Sequence, residues 1–118
     1  MMENMNKEQF LEWIENGGEI YKYTYEVEAG KEDLRKSECE VDAVYEDGFK
    51  TFGFGYHIPF DCFEKWEMQH WSSNSYEYFI LLTNEQNIDD YLGEIKMCIA
   101  EGLQKEIRDL QKSLALVI

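Results

Sequence analysis

Two hydrophobic periods divide this chain. Phe10, Leu11, Trp13 and Ile14 recur at helical spacing behind Asn6 and Gln9, which stand three residues apart as in a capping box. Gly17-Gly18 then supplies the residue type that ends helices, so a short N-terminal helix is expected. The period drops to two from Tyr21 onward. Tyr21, Tyr23, Tyr25, Val27 and Ala29 fall on one face of a strand, and Lys22, Thr24, Glu26 and Glu28 on the other. Gly30 to Ser37 reads as a charged connection. Tyr76 to Leu82 is a strand with bulky residues on both faces, which places it centrally in the sheet.

Asp47-Gly48 lies between two alternating runs and predicts a two-residue hairpin turn within residues 38–57. With those two residues as the loop, Tyr45 faces Lys50, Ala43 faces Phe52, Val41 faces Phe54 and Cys39 faces Tyr56, building a buried face. The reverse face carries Glu38, Glu40, Asp42 and Glu46 on one strand, with Gly53 and Gly55 beside them and His57 opposite Glu38. Alternate strand residues repeat at roughly 6.5–7 Å, close to the ~7 Å step between phosphates along one nucleic-acid strand. An exposed anionic ladder that meets Lys or Arg on a partner is one reading of that face. A solvated face with a bulge at the glycines is the other.

Pro59 ends that strand. Phe60, Phe63, Trp66 and Met68 suit a short helical or irregular segment over the sheet, with Asp61, Glu64 and Glu67 outward. Trp66, His70 and Trp71 either plug the core or form an exposed contact anchor. Ser72 to Ser75 is a loop. Thr83 and Gln86 repeat the capping-box spacing before a last helix from about Asn84 to Leu114. Its apolar positions, Ile88, Leu92, Ile95, Ile99, Leu103, Ile107, Leu110 and Leu114, step by three or four residues. A single helix of that length spans roughly 45 Å, whereas a compact domain of this size is ~27–30 Å across. Either the helix breaks near Gly93 or Gly102, or it projects and pairs with its copy in a homodimer through Ile99, Leu103, Ile107 and Leu110. Pairing is favoured. The expected architecture is thus one α+β domain over residues 1–118: a short helix, an antiparallel sheet of about four strands and a long C-terminal helix.

Charge sharpens this picture. The chain of 118 residues has a formal net charge of -14. The first ninety residues hold 21 acids and 7 bases, while residues 91–118 hold four of each. The acids are interleaved with a chain that is 44% hydrophobic and 15% aromatic, so they belong to a folded surface and not to a disordered tail. A field of this sign repels nucleic acid and membrane surfaces and speeds encounter with basic partners. The N-terminal residues lack the pattern of a signal peptide and no apolar run approaches membrane-span length, so a cytoplasmic location in the host cell is expected.

Candidate chemistry is sparse. Cys39, Cys62 and Cys98 are odd in number and widely spaced, which argues for free thiols and against a disulfide framework or a zinc site. There is no glycine-rich phosphate loop and no nucleophile elbow. Asp89-Asp90 sits at a helix start, where acids favour the dipole. Neither a catalytic residue nor a cofactor is expected.

In size, charge, short sheet and long C-terminal helix, the chain resembles small acidic anti-CRISPR and DNA-mimic inhibitor proteins carried by phages. The resemblance covers the whole chain in general character and carries over no family residues. It implies an anti-defence inhibitor whose partner is a basic nucleic-acid-binding protein or nuclease. The contact residues expected are Glu38, Glu40, Asp42, Glu46 and Asp47, with Asp61, Glu64 and Glu67 as a second patch. An immunity protein against a nuclease toxin shares the same physics. A ligand-sequestering protein, holding a nucleotide signal or other metabolite among Tyr21, Tyr23, Trp66 or Trp71, is the reading from another class.

Overall fold

The computed structural model describes residues 5–72 and 74–118 and shows a mixed α+β fold. Helix α1 (Lys7–Glu15) starts on the expected capping box, with the Gln9 N–H donating to Asn6 and the Asn6 N–H donating back to Gln9. It ends where the Gly18 N–H returns to the Trp13 carbonyl. Strand β1 (Ile20–Glu28) pairs antiparallel on one side with β2 (Lys31–Cys39) and on the other with β7 (Ser75–Thr83). Strand β6 (Glu67–Ser72) completes a four-stranded antiparallel sheet in the order β2-β1-β7-β6. The Tyr76–Leu82 run is internal to the sheet, as its two bulky faces require.

Residues 31–37 form a strand, not a connection. Ala29 and Gly30 both adopt positive φ, 49° and 80°, the pattern of a tight I′ hairpin turn, and β1 offers a full row of backbone partners. Charged side chains suit an edge strand because they discourage pairing with another chain. Residues 67–72 likewise form an edge strand where helical or irregular structure was expected. Only Phe60–Cys62 makes a short 3-10 turn.

The hairpin around Gly48 forms, but in a separate three-stranded sheet: β3 (Val41–Val44), β4 (Gly48–Thr51) and β5 (Ile58–Pro59). Its register differs from expectation. The loop residues are Glu46 and Asp47, closed by the Tyr45 N–H donating to the Gly48 carbonyl at 2.7 Å. Val44 faces Phe49, Ala43 faces Lys50 and, past a bulge at Asp42, Val41 faces Thr51. The bulge brings Val41 onto the same side as Val44, and both pack inward with Phe49. Beyond Thr51 the chain leaves the sheet, so Phe52 and Tyr56 are exposed and Phe54 is half-buried.

Three layers result. Helix α2 (Asp89–Val117) covers one face of the large sheet, where Ile95 and Ile99 pack on Tyr25 and Tyr76. Tyr23, Ile80 and Leu82 continue that layer toward Ile88, Tyr91 and Trp66. The opposite face places Ile20, Phe79 and Leu81 against Phe10, Phe49, Ile58, Phe60 and Phe63, contributed by α1, the small sheet and the turn after it. Phe10 and Phe49 stack at 4.8 Å between ring centres.

Helix α2 begins at Asp89, later than expected, because Thr83 and Gln86 close a turn instead: the Thr83 N–H donates to the Gln86 side chain. The Asn87 side chain then accepts from the Asp89 N–H. The helix runs 29 residues without a break at Gly93 or Gly102, about 43 Å at 1.5 Å per residue. Its far end projects. The molecule measures 64 × 24 × 23 Å with a radius of gyration of 17.9 Å, against about 13.5 Å for a compact chain of this length. No helix among the described residues is long and apolar enough to cross a membrane.

Candidate functional site

The cations of the body are largely committed to local contacts, which leaves its acids in excess. Lys7 pairs with Glu46 at 3.7 Å, and Lys65 with Asp61 at 3.6 Å. The Arg35 guanidinium reaches Asp33 at 2.8 Å, Glu77 at 3.1 Å and Glu26 at 3.7 Å across the sheet. Lys22 stands over the Phe54 and Phe79 rings and Lys36 over Tyr21 and Tyr23. Those five account for most of the seven bases in residues 1–90.

Glu38, Glu40, Asp42, Glu46 and Asp47 are all exposed, but they do not form one straight ladder. Glu38 lies on β2 of the large sheet, Glu40 in the junction, Asp42 in the bulge of β3, and Glu46 and Asp47 in the hairpin loop. The chain passes between two sheets at Glu40, and the two-residue strand repeat is lost there. His57 is paired with Asp47 at 3.2 Å and not with Glu38, whose cross-strand partner is Tyr21. Asp61 and Glu67 are exposed as expected.

Glu64 is a correction. It is half-buried, at a positive φ of 66°, with its N–H donating to the Leu81 carbonyl and its carboxylate accepting from the Tyr91 hydroxyl. It ties the segment after the 3-10 turn to β7 and α2, and its carboxylate is not a free partner for an incoming cation. Trp66 plugs the core, its indole N–H donating to the Tyr91 carbonyl at 3.0 Å. Trp71 does not join the core and is 56% exposed. Ile99 is also corrected: it is buried against Tyr25 and Tyr76, and Leu103 packs partly on the same cluster. Ile107 and Leu110 remain exposed.

Phe52, expected inside, is 63% exposed. Its N–H donates to the Glu40 carbonyl at 3.1 Å, so a large apolar side chain stands beside the carboxylates of the sheet junction. The sequence carries a signal for this in the glycines at 53 and 55, which end regular pairing just after it.

A second feature lies across the molecule. A groove of about 590 Å³ runs between edge strand β6 and α2, lined by Met68, Trp71, Tyr76, Tyr78, Cys98 and Leu110. Lys105, Glu106 and Asp109 border it, and Glu106 accepts from the Tyr76 hydroxyl at 2.7 Å. Of the four aromatic residues proposed from the sequence for a ligand pocket, only Trp71 lines this groove. With one cation and two acids at its rim, it is poorly suited to a multiply charged nucleotide. Among the described residues, no group of three or more His, Cys, Asp or Glu side chains is arranged to hold a metal. Cys39 and Cys62 are half-buried and Cys98 is exposed, all as free thiols. Burial, reinforced by Glu67 and Asp61, pushes the Cys62 thiol up to about 12, which keeps it protonated and unreactive at neutral pH.

The chain matches no protein-family model, no curated protein and no solved structure.

Acid–tyrosine pairs recur through the fold and set its alkaline limit. The Tyr21 phenol is pushed up to about 12 by its hydrogen bond to Glu19. Tyr25 reaches about 12 through burial and then its bond to Glu32, and Tyr91 reaches about 12 through its bond to Glu64 and then burial. An unfolded tyrosine ionises near ~10, so the fold holds these phenols neutral. Their stabilisation is complete below about pH 10 and is lost as pH climbs toward about 12. Absorbance at the tyrosinate band, followed with circular dichroism, should show a cooperative alkaline transition in that window, and Tyr25→Phe should flatten it. Ionisation of all eight tyrosines near pH 10 with the fold intact would contradict this assignment.

Proposed function

We propose that this chain is an inhibitory binding protein whose acidic body occupies the basic nucleic-acid-binding surface of a larger protein, in the manner of anti-CRISPR and DNA-mimic inhibitors of defence nucleases. The observation that carries the reading is the distribution of charge. All of the net -14 belongs to the first ninety residues, and most bases there are engaged locally. A basic channel built to bind phosphates meets the same sign of charge on this body, and association is fast and salt-sensitive.

The junction of the two sheets is the contact region this reading favours. Glu38, Glu40 and Asp42 supply charge there, and the exposed Phe52 ring supplies the apolar anchor that interfaces concentrate their energy in. Charges at the rim govern association, whereas a buried aromatic anchor governs dissociation.

Capture from host lysate at low salt, followed by release at high salt, identifies the partner. The decisive step uses variants of the same bait. Glu40→Lys with Asp42→Lys should slow association with that partner by about 10-fold or more at low salt while leaving the fold unchanged. Phe52→Ala should raise the dissociation rate instead. A doubly reversed variant that binds as fast as the parent at low salt would refute the reading.

A further inference from the structure

We propose that a second copy of this chain docks antiparallel along the projecting half of α2, apolar stripe against apolar stripe. The inference stands apart from the inhibitor reading, because it concerns the neutral segment of the chain and not its acidic body.

Surface area is the first argument. The chain exposes 7946 Å² at a mass of 14.1 kDa, about 1,200 Å² more than the ~6,700 Å² of a compact monomer of that mass. A standard interface hides ~800 Å² on each partner. The excess is therefore of the size that one self-association would remove, and the four most exposed large apolar side chains, Ile118, Leu116, Val117 and Leu110, all lie on the helix end. Leu110 is 68% exposed, and Ile107, Leu114 and Val117 are exposed with it.

The spacing of that stripe names the occupant as another helix. Leu103, Ile107, Leu110, Leu114 and Val117 step by four, three, four and three, the 3.5-residue repeat of a coiled-coil seam. Nearer the body, the steps from Ile95 to Ile99 and Leu103 are both four, the wider drift of a helix laid on a sheet. Two antiparallel copies bring Leu103 against the partner's Leu114 and Ile107 against the partner's Leu110. A two-fold axis makes this contact reciprocal and closed.

Charge selects this partner and this direction. Four acids and four bases balance in residues 91–118, so the helices approach without net repulsion. A parallel pair would set two bodies of net charge -14 side by side, and the antiparallel pair keeps them at opposite ends. A basic macromolecule, which the body attracts, finds no field to follow along this helix.

Light scattering and sedimentation of the full chain, from micromolar to near-millimolar protein, test the proposal. The expected result is twice the 14.1 kDa chain mass, with tighter association at high salt because the bodies then repel less. Leu110→Glu with Leu114→Glu should weaken dimerisation at least about 100-fold, with helical content unchanged because both side chains are exposed. Direction is read in a Cys98→Ser background by mixing Leu103→Cys with Leu114→Cys chains: the mixture should cross-link, and either variant alone should not. A mass of one chain at every concentration overturns the proposal, including one with a small molecule found in the groove. A dimer that survives the double glutamate variant, or cross-linking confined to identical variants, overturns it equally.

Discussion

Phe49→Ala should destabilise the protein by about 3–5 kcal/mol, whereas Phe52→Ala, three residues on, should stay within about 0.5 kcal/mol. Phe49 is completely buried. It stacks on Phe10 at 4.8 Å, lies 6.2 Å from Phe60 and 6.1 Å from Phe63, and so touches α1 and both ends of the segment after β5. No neighbour can close the space it leaves without breaking another stack. For a chain of this length each kilocalorie is worth about 4 °C at the midpoint, so thermal melting should fall by about 12–20 °C. Phe52 is mostly exposed and belongs to none of these stacks. The pair of variants decides between two registers of the same hairpin. In the register that the Asp47-Gly48 pair suggests, Phe52 is inside and Phe49 outside, and the two effects exchange.

Gly48→Ala should cost about 3 kcal/mol, at the upper end of overpacking effects, and should detach β5 from the small sheet. A Cβ at this position would stand 2.2 Å from the Ile58 carbonyl oxygen and 2.6 Å from His57 Nε2. The imidazole can swing away, but the carbonyl belongs to the backbone that pairs Gly48 with Pro59 and Phe49 with Ile58. Relief therefore requires moving the strand. Since Ile58, Phe60 and Phe63 follow from that strand into the core, the damage should spread to the aromatic cluster. Lower melting temperature with rapid amide exchange at Phe49 is the expected signature. Unchanged exchange there would show that β5 tolerates the side chain.

The same glycine shows where local reading stops. Next to an aspartate it looks like a turn residue chosen for positive φ. Its role is steric: it sits within β4 because another strand passes too close for any Cβ. Nothing near it in the sequence announces Ile58. Glu64 is a similar case. Spacing with Asp61 and Glu67 places it on a surface, but Tyr91 arrives from 27 residues away and takes its carboxylate.

What the sequence by itself determined was whatever depends on neighbours along the chain. The capping box of α1, the alternation of β1, the internal position of β7, the helical period of the last element and the partition of charge all follow from spacings of two to four residues or from counting. The acids of the sheet junction were legible for the same reason, since runs of exposed carboxylates need no tertiary information. The tertiary structure alone decided the hairpin register, the division into two sheets at Glu40, the exposure of Phe52 and the withdrawal of Glu64 and Ile99 from the surface. Each of these depends on which distant segment arrives at a position, and a side chain's burial is set by that arrival more than by its own chemistry.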